Sequence, residues 1–421
     1  MAQEIEDSNQ SFTGYQKVVV LVLALLQFLI VLDFMIIAPI GDLLMKTLLI
    51  NTEQFGLVVS SYAFSAALSG IAFAGFADKF DRKKLLLVFV SGFVAATFFC
   101  GLANSYIELL AARIVTGIFA GLCSSTLFTV VADLFAAQMR GRVMGMVQMG
   151  FGLSQVLGIP LGLYVATRFN WHSTFMLIVA LAALLMLAIA FVFEPIAEHL
   201  KVANDKNAFL HLWHTLNNKQ YQIGFVATMF LTIGGFMLMP FSSVFLVNNV
   251  HVTHEQLPII FLCTGLSSLV VMPLIGKMSD QYDRFRIFML ASVAACCMTV
   301  VYTHLTPIPF WIMVVFNMAF FAIIMSRMSP AMALNSMVAK PQDRGAYMSI
   351  SSSLQQTAGG LSAILAGWVV YQPTATSPIE HYDILGYLAV GVFLLSVFLV
   401  RRVDKSLKQQ EAMRATEMSI N

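Results

Sequence analysis

Long apolar segments recur along this chain, and their length restricts its fold more than any other feature. Each runs for roughly 20 residues, which is enough for a helix to cross a hydrocarbon core of about 30 Å. Charged residues make up only 11% of the chain, whereas about 25% is usual in soluble domains. The chain is therefore predicted to be an all-α integral membrane protein, because lipid offers no partners for backbone polar groups. The twelve predicted spans cover roughly residues 18–43, 54–77, 85–103, 106–131, 143–166, 173–193, 222–247, 257–276, 286–304, 309–333, 346–370 and 384–400.

The positions of lysine and arginine predict which way the spans run. With the N-terminus in the cytoplasm, about 20 of the 24 basic residues fall in cytoplasmic segments. Lys46 and Arg168 fall on the other side, and two arginines lie inside spans. We therefore expect a multi-pass protein of the cell membrane with both termini cytoplasmic. The basic residues flank spans instead of forming one patch, so we expect no nucleic-acid partner.

Two short charged motifs occur twice. The segment ADKFDRKK at residues 77–84 matches SDQYDRFR at residues 279–286, and RGRVMG at 140–145 matches RGAYMS at 344–349. The two matches have nearly the same spacing, which indicates two related halves. In membrane proteins such halves usually frame a central pathway, so the duplication points to a transporter.

The polar stretch between the sixth and seventh spans separates these halves. We predict a six-helix bundle over residues 1–194, a cytoplasmic linker over 195–221, and a second six-helix bundle with a cytoplasmic tail over 222–421. Within the linker, AFLHLWHTL at residues 208–216 predicts a short amphipathic helix on the membrane surface. A regulatory role for the linker is the alternative.

Two opposite charges lie deep inside predicted spans, where ionised groups are costly. Asp33 is the only carboxylate well inside any span, and Arg113 lies at a similar depth in the fourth span. They form either a static pair that holds the first and fourth spans together or a site for protons and substrate. None of the eight histidines lies in the middle of a span, so a proton path would depend on Asp33.

The loop after the second span resembles the signature of the major facilitator superfamily, a glycine followed by D-R/K-x-G-R-R/K. Asp78, Lys79, Arg82 and Lys83 fill its charged positions. Asp81 stands where the second glycine is expected, and aspartate tolerates a left-handed turn better than most residues. We expect Asp81 to take that turn or to pair with a neighbouring basic residue.

The second half repeats this frame with Asp280, Asp283 and Arg284. A carboxylate is favoured at the N-terminus of a helix, so Asp78 and Asp280 are expected to face the starts of the eleventh and fifth spans. Such contacts exist only while the inner side is closed. Together with Arg82 and Arg284 they would form a conformational gate. The alternative is that these charges only fix the topology.

Two further motifs follow in the order that the family shows. ARIVTG at residues 112–117 resembles the family's R-x-x-Q-G, with threonine in place of glutamine. GLSQVLGIPLG at residues 152–162 resembles the fifth-helix motif of proton-driven antiporters. Its Gly158, Pro160 and Gly162 are expected to kink the span and to let it pack closely.

Four polar residues inside the spans are candidates for the lining of a substrate cavity. They are Gln155, Asn317, Arg327 and Gln355. Arg327 lies nearer the cytoplasm, and it either lines the inner cavity or extends to the lipid headgroups.

The resemblance covers essentially the whole chain and implies two six-helix pseudo-repeat bundles that alternate access to a midplane site. It is strongest to the drug–proton antiporter and arabinose-efflux-permease-like branch, which implies proton-coupled efflux of a small amphipathic compound or drug. Proton-coupled uptake of a sugar or other metabolite is the alternative, and a non-transporting receptor or assembly factor is a third. We expect a monomer whose partners are a small-molecule substrate, protons and the lipid bilayer. We expect no cofactor, no metal and no enzymatic activity.

Overall fold

The computed structural model describes residues 12–73, 80–197, 208–340 and 343–420. Within these ranges it describes only the backbone of residues 137–138, 208–212, 280 and 411–420. The α-helices are α1 (Gly14–Met35), α2 (Gly41–Leu48), α3 (Thr52–Phe73), α4 (Arg82–Leu102), α5 (Tyr106–Leu134), α6 (Ala137–Leu153), α7 (Ile159–Arg168), α8 (Trp171–Val192), α9 (Ala208–Asn217), α10 (Lys219–Phe236), α11 (Ser242–Asn248), α12 (Leu257–Gln281), α13 (Arg284–Thr303), α14 (Phe310–Ser336), α15 (Arg344–Val369) and α16 (Tyr382–Ile420).

Eleven segments of the described chain are long and apolar enough to cross a membrane, with α6–α7 and α10–α11 each counted as one. The twelfth spanning helix is α15, whose 26 residues are long enough. Its serine- and glutamine-rich sequence, SISSSLQQ, makes it more polar than the others. The predicted all-α membrane architecture with twelve spanning helices is confirmed.

Prolines interrupt two spans that the sequence analysis predicted to be continuous. Helix α1 ends at Met35 and α10 ends at Phe236, four residues before Pro39 and Pro240 respectively. A proline ring collides with the carbonyl group four residues earlier and supplies no N–H donor. The chain therefore leaves each helix and resumes in a short one, α2 or α11. Both interruptions lie next to groups discussed below.

The chain divides into two compact units, residues 1–50 with 61–207 and residues 51–60 with 208–421. In the first unit α1 packs on α6 and α8, and α4 packs on α5 and α8. In the second unit α14 packs on α12 and α13, and α10 packs on α15 and α16. The short helix that the linker sequence predicts is present as α9, and it packs on α10 and α15.

Candidate functional site

Glycines bring α3 and α5 close together in the first unit. A Cβ atom at Gly117 would lie 2.4 Å from the carbonyl oxygen of Tyr62 and 2.9 Å from its Cα. A Cβ atom at Gly121 would lie 2.3 Å from the carbonyl oxygen of Ala66. Since the obstructing atoms belong to the backbone, they cannot rotate away, and both positions require glycine. The contact places Arg113, about one turn before Gly117, against α3.

Arg113 forms a buried ion pair with Asp33. Its Nη1 donates to Oδ2 of Asp33 at 2.8 Å and to the backbone carbonyl of Asp33 at 3.2 Å. Both side chains are 0% exposed. The carbonyl is available because the last turn of α1 lacks intrahelical donors, a consequence of the break before Pro39. The predicted contact between these two residues is confirmed.

Tyr62 on α3 contacts Arg113 and also α1, the helix that carries Asp33. The guanidinium of Arg113 lies over its ring, with Cζ 4.3 Å from the ring centroid. The same ring stacks on Phe34 at a centroid distance of 5.4 Å, and its hydroxyl donates to the carbonyl of Ile30 at 3.2 Å. The sequence does not point to Tyr62 as a site residue, because no motif or spacing distinguishes it from the ten other tyrosines.

The pair uses only part of its hydrogen-bonding capacity. Oδ1 of Asp33, Nε and Nη2 of Arg113 and the hydroxyl of Thr97 make no hydrogen bond within the described part of the chain. Thr116, which replaces the family's glutamine, donates to the carbonyl of Ala112 in its own helix at 2.8 Å. Buried polar atoms without partners are unfavourable. The arrangement is therefore able to accept a proton or a further polar group.

Two residues of the first charged loop make contacts within the first unit. Asp81 is the N-cap of α4 with φ −57°, and its carboxylate accepts a hydrogen bond from the backbone N–H of Lys84 at 3.2 Å. The predicted left-handed turn is wrong, because an N-cap residue itself takes non-helical, extended backbone angles, here with ψ 126°. Arg82 is buried and pairs with Asp133 at the end of α5, Nε to Oδ2, at 2.8 Å. Asp78 lies outside the described residues.

The second charged loop repeats the N-cap, and its capping aspartate also forms an ion pair. Asp283 caps α13 and accepts from the backbone N–H of Arg286 at 2.8 Å. Its other oxygen accepts from Nζ of Lys408, in the C-terminal helix α16, at 2.8 Å. The hydrogen bond from Lys408 holds the pKa of the Asp283 carboxyl below its ordinary value. Arg284 donates to the carbonyl of Ser279 at 3.3 Å. Asp280 lies in α12, where the structure describes only its backbone.

The fifth span packs tightly on α1 through its glycines. A π-helical turn, Ser154–Gly158, separates α6 from α7, and Pro160 follows in the first turn of α7. A Cβ atom at Gly158 would lie 2.9 Å from the side chain of Leu32 in α1, and one at Gly162 would lie 2.9 Å from that of Ile36, the residue after α1. Gln155, in the π turn, places its Nε2 3.8 Å from the sulfur of Met35. The predicted irregularity and close packing are confirmed, and the irregularity is a π turn.

Two of the predicted cavity residues lie inside the second unit. Asn317 is buried, donates to the hydroxyl of Thr264 at 2.7 Å and accepts from the hydroxyl of Tyr302 at 3.1 Å. It belongs to an internal network that joins α12, α13 and α14, so its predicted place on a cavity wall is corrected. Gln355 is half-buried on α15.

Arg327 is also buried, 1% exposed, so it neither lines an open cavity nor extends to the headgroups. Its Nε donates to the hydroxyl of Ser292 at 3.0 Å and its Nη2 to that of Ser396 at 2.8 Å. Cζ lies 3.8 Å from the ring centroid of Phe393. Within the described chain it has no carboxylate partner. Hydroxyl groups and an aromatic face thus replace the counter-charge that Arg113 has.

The family model described as Major Facilitator Superfamily matches residues 23–326 and 224–419. The chain belongs to the major facilitator superfamily. It is 25% identical over 393 residues to the uncharacterized MFS-type transporter YceJ of Bacillus subtilis, covering 92% of this chain and 97% of that one. It is 22% identical over 368 residues to a probable sugar efflux transporter of Pasteurella multocida, covering 87% and 86%.

Solved structures of the major facilitator superfamily have the same fold. A bacterial homologue of the human lysosomal transporter Spinster, inward-facing and unoccupied, matches with a TM-score of 0.73 at 17% identity, covering 95% of this chain and 99% of that one. A D-xylose–proton symporter matches with a TM-score of 0.73 at 16% identity, covering 91% and 97%. At such identities the likeness establishes the fold alone. As a member of this superfamily, the chain is a secondary transporter of the membrane.

Proposed function

We propose that this transporter exports a small amphipathic compound in exchange for protons, and that Asp33 carries the exchanged proton. The observation that supports this is the Asp33–Arg113 pair, which is buried in the first unit and leaves one carboxylate oxygen without a hydrogen bond. A carboxylate in such a place either keeps its counter-charge or takes up a proton. Asp33 alone among the carboxylates lies well inside a predicted span, so we assign the coupling to it.

The direction of transport rests on the fifth span. Its π turn and its close packing on α1 follow the sequence that resembles the antiporter motif. The relative from Pasteurella multocida that matches 87% of this chain is named a probable sugar efflux transporter. Both observations favour export over uptake.

Alternating access completes the proposal. Asp78, Arg82, Asp280 and Arg284 would form the gate that closes the cytoplasmic side. The two bundles, residues 1–194 and 222–421, would move about a midplane site while the linker 195–221 joins them. The transporter would act as a monomer in the cell membrane with both termini in the cytoplasm.

Inside-out membrane vesicles with an acidic interior test both the direction and the coupling. An exporter carries an added compound into the lumen and releases luminal protons, so the imposed pH gradient collapses. A proton symporter working on the same compound moves protons inward with it, and the lumen does not become alkaline. Screening amphipathic compounds for gradient collapse in wild type, with Asp33→Asn as the control, identifies substrates. Collapse at the wild-type rate in Asp33→Asn would remove Asp33 from the mechanism.

A further inference from the structure

Besides Asp33, Arg113 has a second partner, the ring of Tyr62, and this ring stays uncharged at physiological pH. The guanidinium of Arg113 lies over the ring of Tyr62 at 4.3 Å from the centroid, and Tyr62 is buried, 2% exposed. A cation over an aromatic face is stabilised most strongly where water is excluded. When Asp33 is ionised, Arg113 thus has both a carboxylate and a ring. When Asp33 is neutral, the ring remains.

Tyr62 is itself fixed in place from three sides. Its hydroxyl is bound to the carbonyl of Ile30, its ring stacks on Phe34, and its backbone lies against Gly117. Two of these contacts are on α1, the helix that carries Asp33, and the third is on α5, the helix that carries Arg113. The position of the ring is therefore fixed relative to both α1 and α5, and so relative to Asp33 and Arg113.

We propose that Tyr62 is a positioning residue for proton exchange: its ring holds the guanidinium of Arg113 while Asp33 is protonated. Protonation would otherwise leave a buried cation without a counter-charge, which is strongly unfavourable. With the ring present, the guanidinium settles more closely on the aromatic face as the carboxylate stops attracting it. If the ring held the guanidinium equally strongly with Asp33 ionised and with Asp33 neutral, it would not change the proton affinity of Asp33. The contact must therefore be stronger when Asp33 is neutral. This role of Tyr62 rests on the proposed role of Asp33.

Within the described residues, the other titratable side chains near this pair include Tyr62 on α3, Cys100 on α4 and Cys123 on α5. On α6–α7 the nearby Gln155 does not titrate, and His172 at the start of α8 is bound to the carbonyl of Gly101 instead. The protonation of the site is thus set by Asp33 and by what holds Arg113.

The experiment follows the proton on Asp33 and needs no substrate. The full-length protein in lipid nanodiscs is titrated with acid, and protonated carboxyl groups are followed by infrared difference spectroscopy. The band that is absent in Asp33→Asn reports Asp33. At position 62 the variants are Tyr62→Phe, a series of mono-, di- and trifluorinated phenylalanines, and Tyr62→Leu. Fluorination keeps the ring's shape and weakens its negative face. The series therefore weakens cation binding by the ring while leaving its packing, and so the folding, unchanged.

We expect each added fluorine to lower the pH of half-protonation, because the protonated state loses the support of the ring. The trifluorinated ring should lower the proton affinity about tenfold, a shift of about one pH unit, and Tyr62→Leu by at least as much. Tyr62→Phe should keep the wild-type midpoint, since it loses only the hydrogen bond to Ile30. An unchanged midpoint along the fluorinated series overturns the inference while leaving the proposed function intact. A wild type that lacks the Asp33 band contradicts the proposed function and this inference with it.

Discussion

At the scale of single residues, the Asp33–Arg113 pair is arranged for exchange more than for stability. A buried ion pair gains little over apolar residues of the same volume, because both charges lose their hydration. Strong arginine–carboxylate pairs are usually bidentate, yet this one has a single contact between the two side chains, Nη1 to Oδ2. The remaining donors of Arg113 and the second oxygen of Asp33 are unused. A pair with these properties is easier to open than a fully bonded one.

Replacing Arg113 tests this view. In Arg113→Ala the Asp33 carboxylate loses its counter-charge, so its neutral form is favoured and the pH midpoint of transport should rise. This is opposite in direction to the shift expected for Tyr62→Leu. Arg113→Lys should restore the midpoint only in part, because an ammonium is a point charge and lacks the planar guanidinium. The measurement is the pH dependence of gradient collapse in vesicles. Identical profiles in wild type and Arg113→Ala would show that the two residues are not coupled.

The sequence predicts the residues of this pair but not their surroundings. Opposite charges inside a bilayer must find each other or water, so two isolated charges at equal depth are enough to predict the contact. The aromatic partner of Arg113 has no such signature. Arg327 shows that a charged residue in a span does not always pair with an opposite charge, because hydroxyl groups and an aromatic ring bind it inside the second unit. A polar residue in a span therefore does not reveal whether it faces a cavity or its own bundle.

At the scale of elements, close glycine contacts determine where the charged side chains lie. Gly117 sets the distance between α3 and α5, and Gly158 and Gly162 set the distance between α1 and the fifth span. The prolines after α1 and α10 end these helices and free backbone carbonyls. One of these carbonyls, that of Asp33, accepts a hydrogen bond from Arg113. Both prolines are present in the sequence, but the apolar runs continue past them, so the sequence predicted continuous helices there.

We expect Gly117→Ala to separate α3 from α5. The new Cβ would meet backbone atoms of Tyr62 at 2.4 and 2.9 Å, and overpacking of this kind costs about 1–3 kcal/mol. The melting temperature in detergent should fall, and transport should fall further because Arg113 moves off the ring. Gly145→Ala is the matched control in the same unit, since nothing lies within 4 Å of its Cβ position. Equal melting temperatures for the two variants would contradict the packing argument.

The N-cap of α13 gives a prediction for pH. Because the pKa of Asp283 is lowered by the hydrogen bond from Lys408, its contribution to stability is present above its ordinary pKa and is lost as pH falls through the lowered one. Asp283→Asn keeps a good N-cap but removes the charge, so it should be less stable than wild type at pH 7. The difference should vanish at strongly acidic pH and shrink at high salt. Asp283→Ala, which removes the cap, should stay less stable by about 1 kcal/mol at every pH. Melting curves across pH decide this, and a constant gap for Asp283→Asn would refute it.

At the scale of the whole molecule, the two halves share a plan but differ in charge. The repeated motifs align at offsets of 202 to 204 residues, and the prolines that end α1 and α10 align at 201. With these offsets the charged site of the first half corresponds to neutral residues in the second. The matched positions are Asp33 and Gly234, Thr97 and Thr299, Cys100 and Tyr302, and Arg113 and Asn317. The duplication thus preserved the helices and the buried threonines, while the aspartate and the arginine of the pair occur in the first half alone among the matched positions.

This asymmetry predicts that the Asn317 network stabilises the second unit without affecting proton coupling. Asn317→Leu would leave the buried hydroxyl of Tyr302 without its partner, at a cost of about 1–3 kcal/mol, while the hydroxyl of Thr264 keeps its bond to the carbonyl of Ile260. The melting temperature should fall, but the pH midpoint of transport should remain that of wild type, because no charge is altered. Thr299→Val is the matched control: the Thr299 hydroxyl has no hydrogen-bond partner within the described residues, so its loss should cost little. A shift of the pH midpoint in Asn317→Leu comparable to that in Arg113→Ala would mean that proton coupling is shared by both halves.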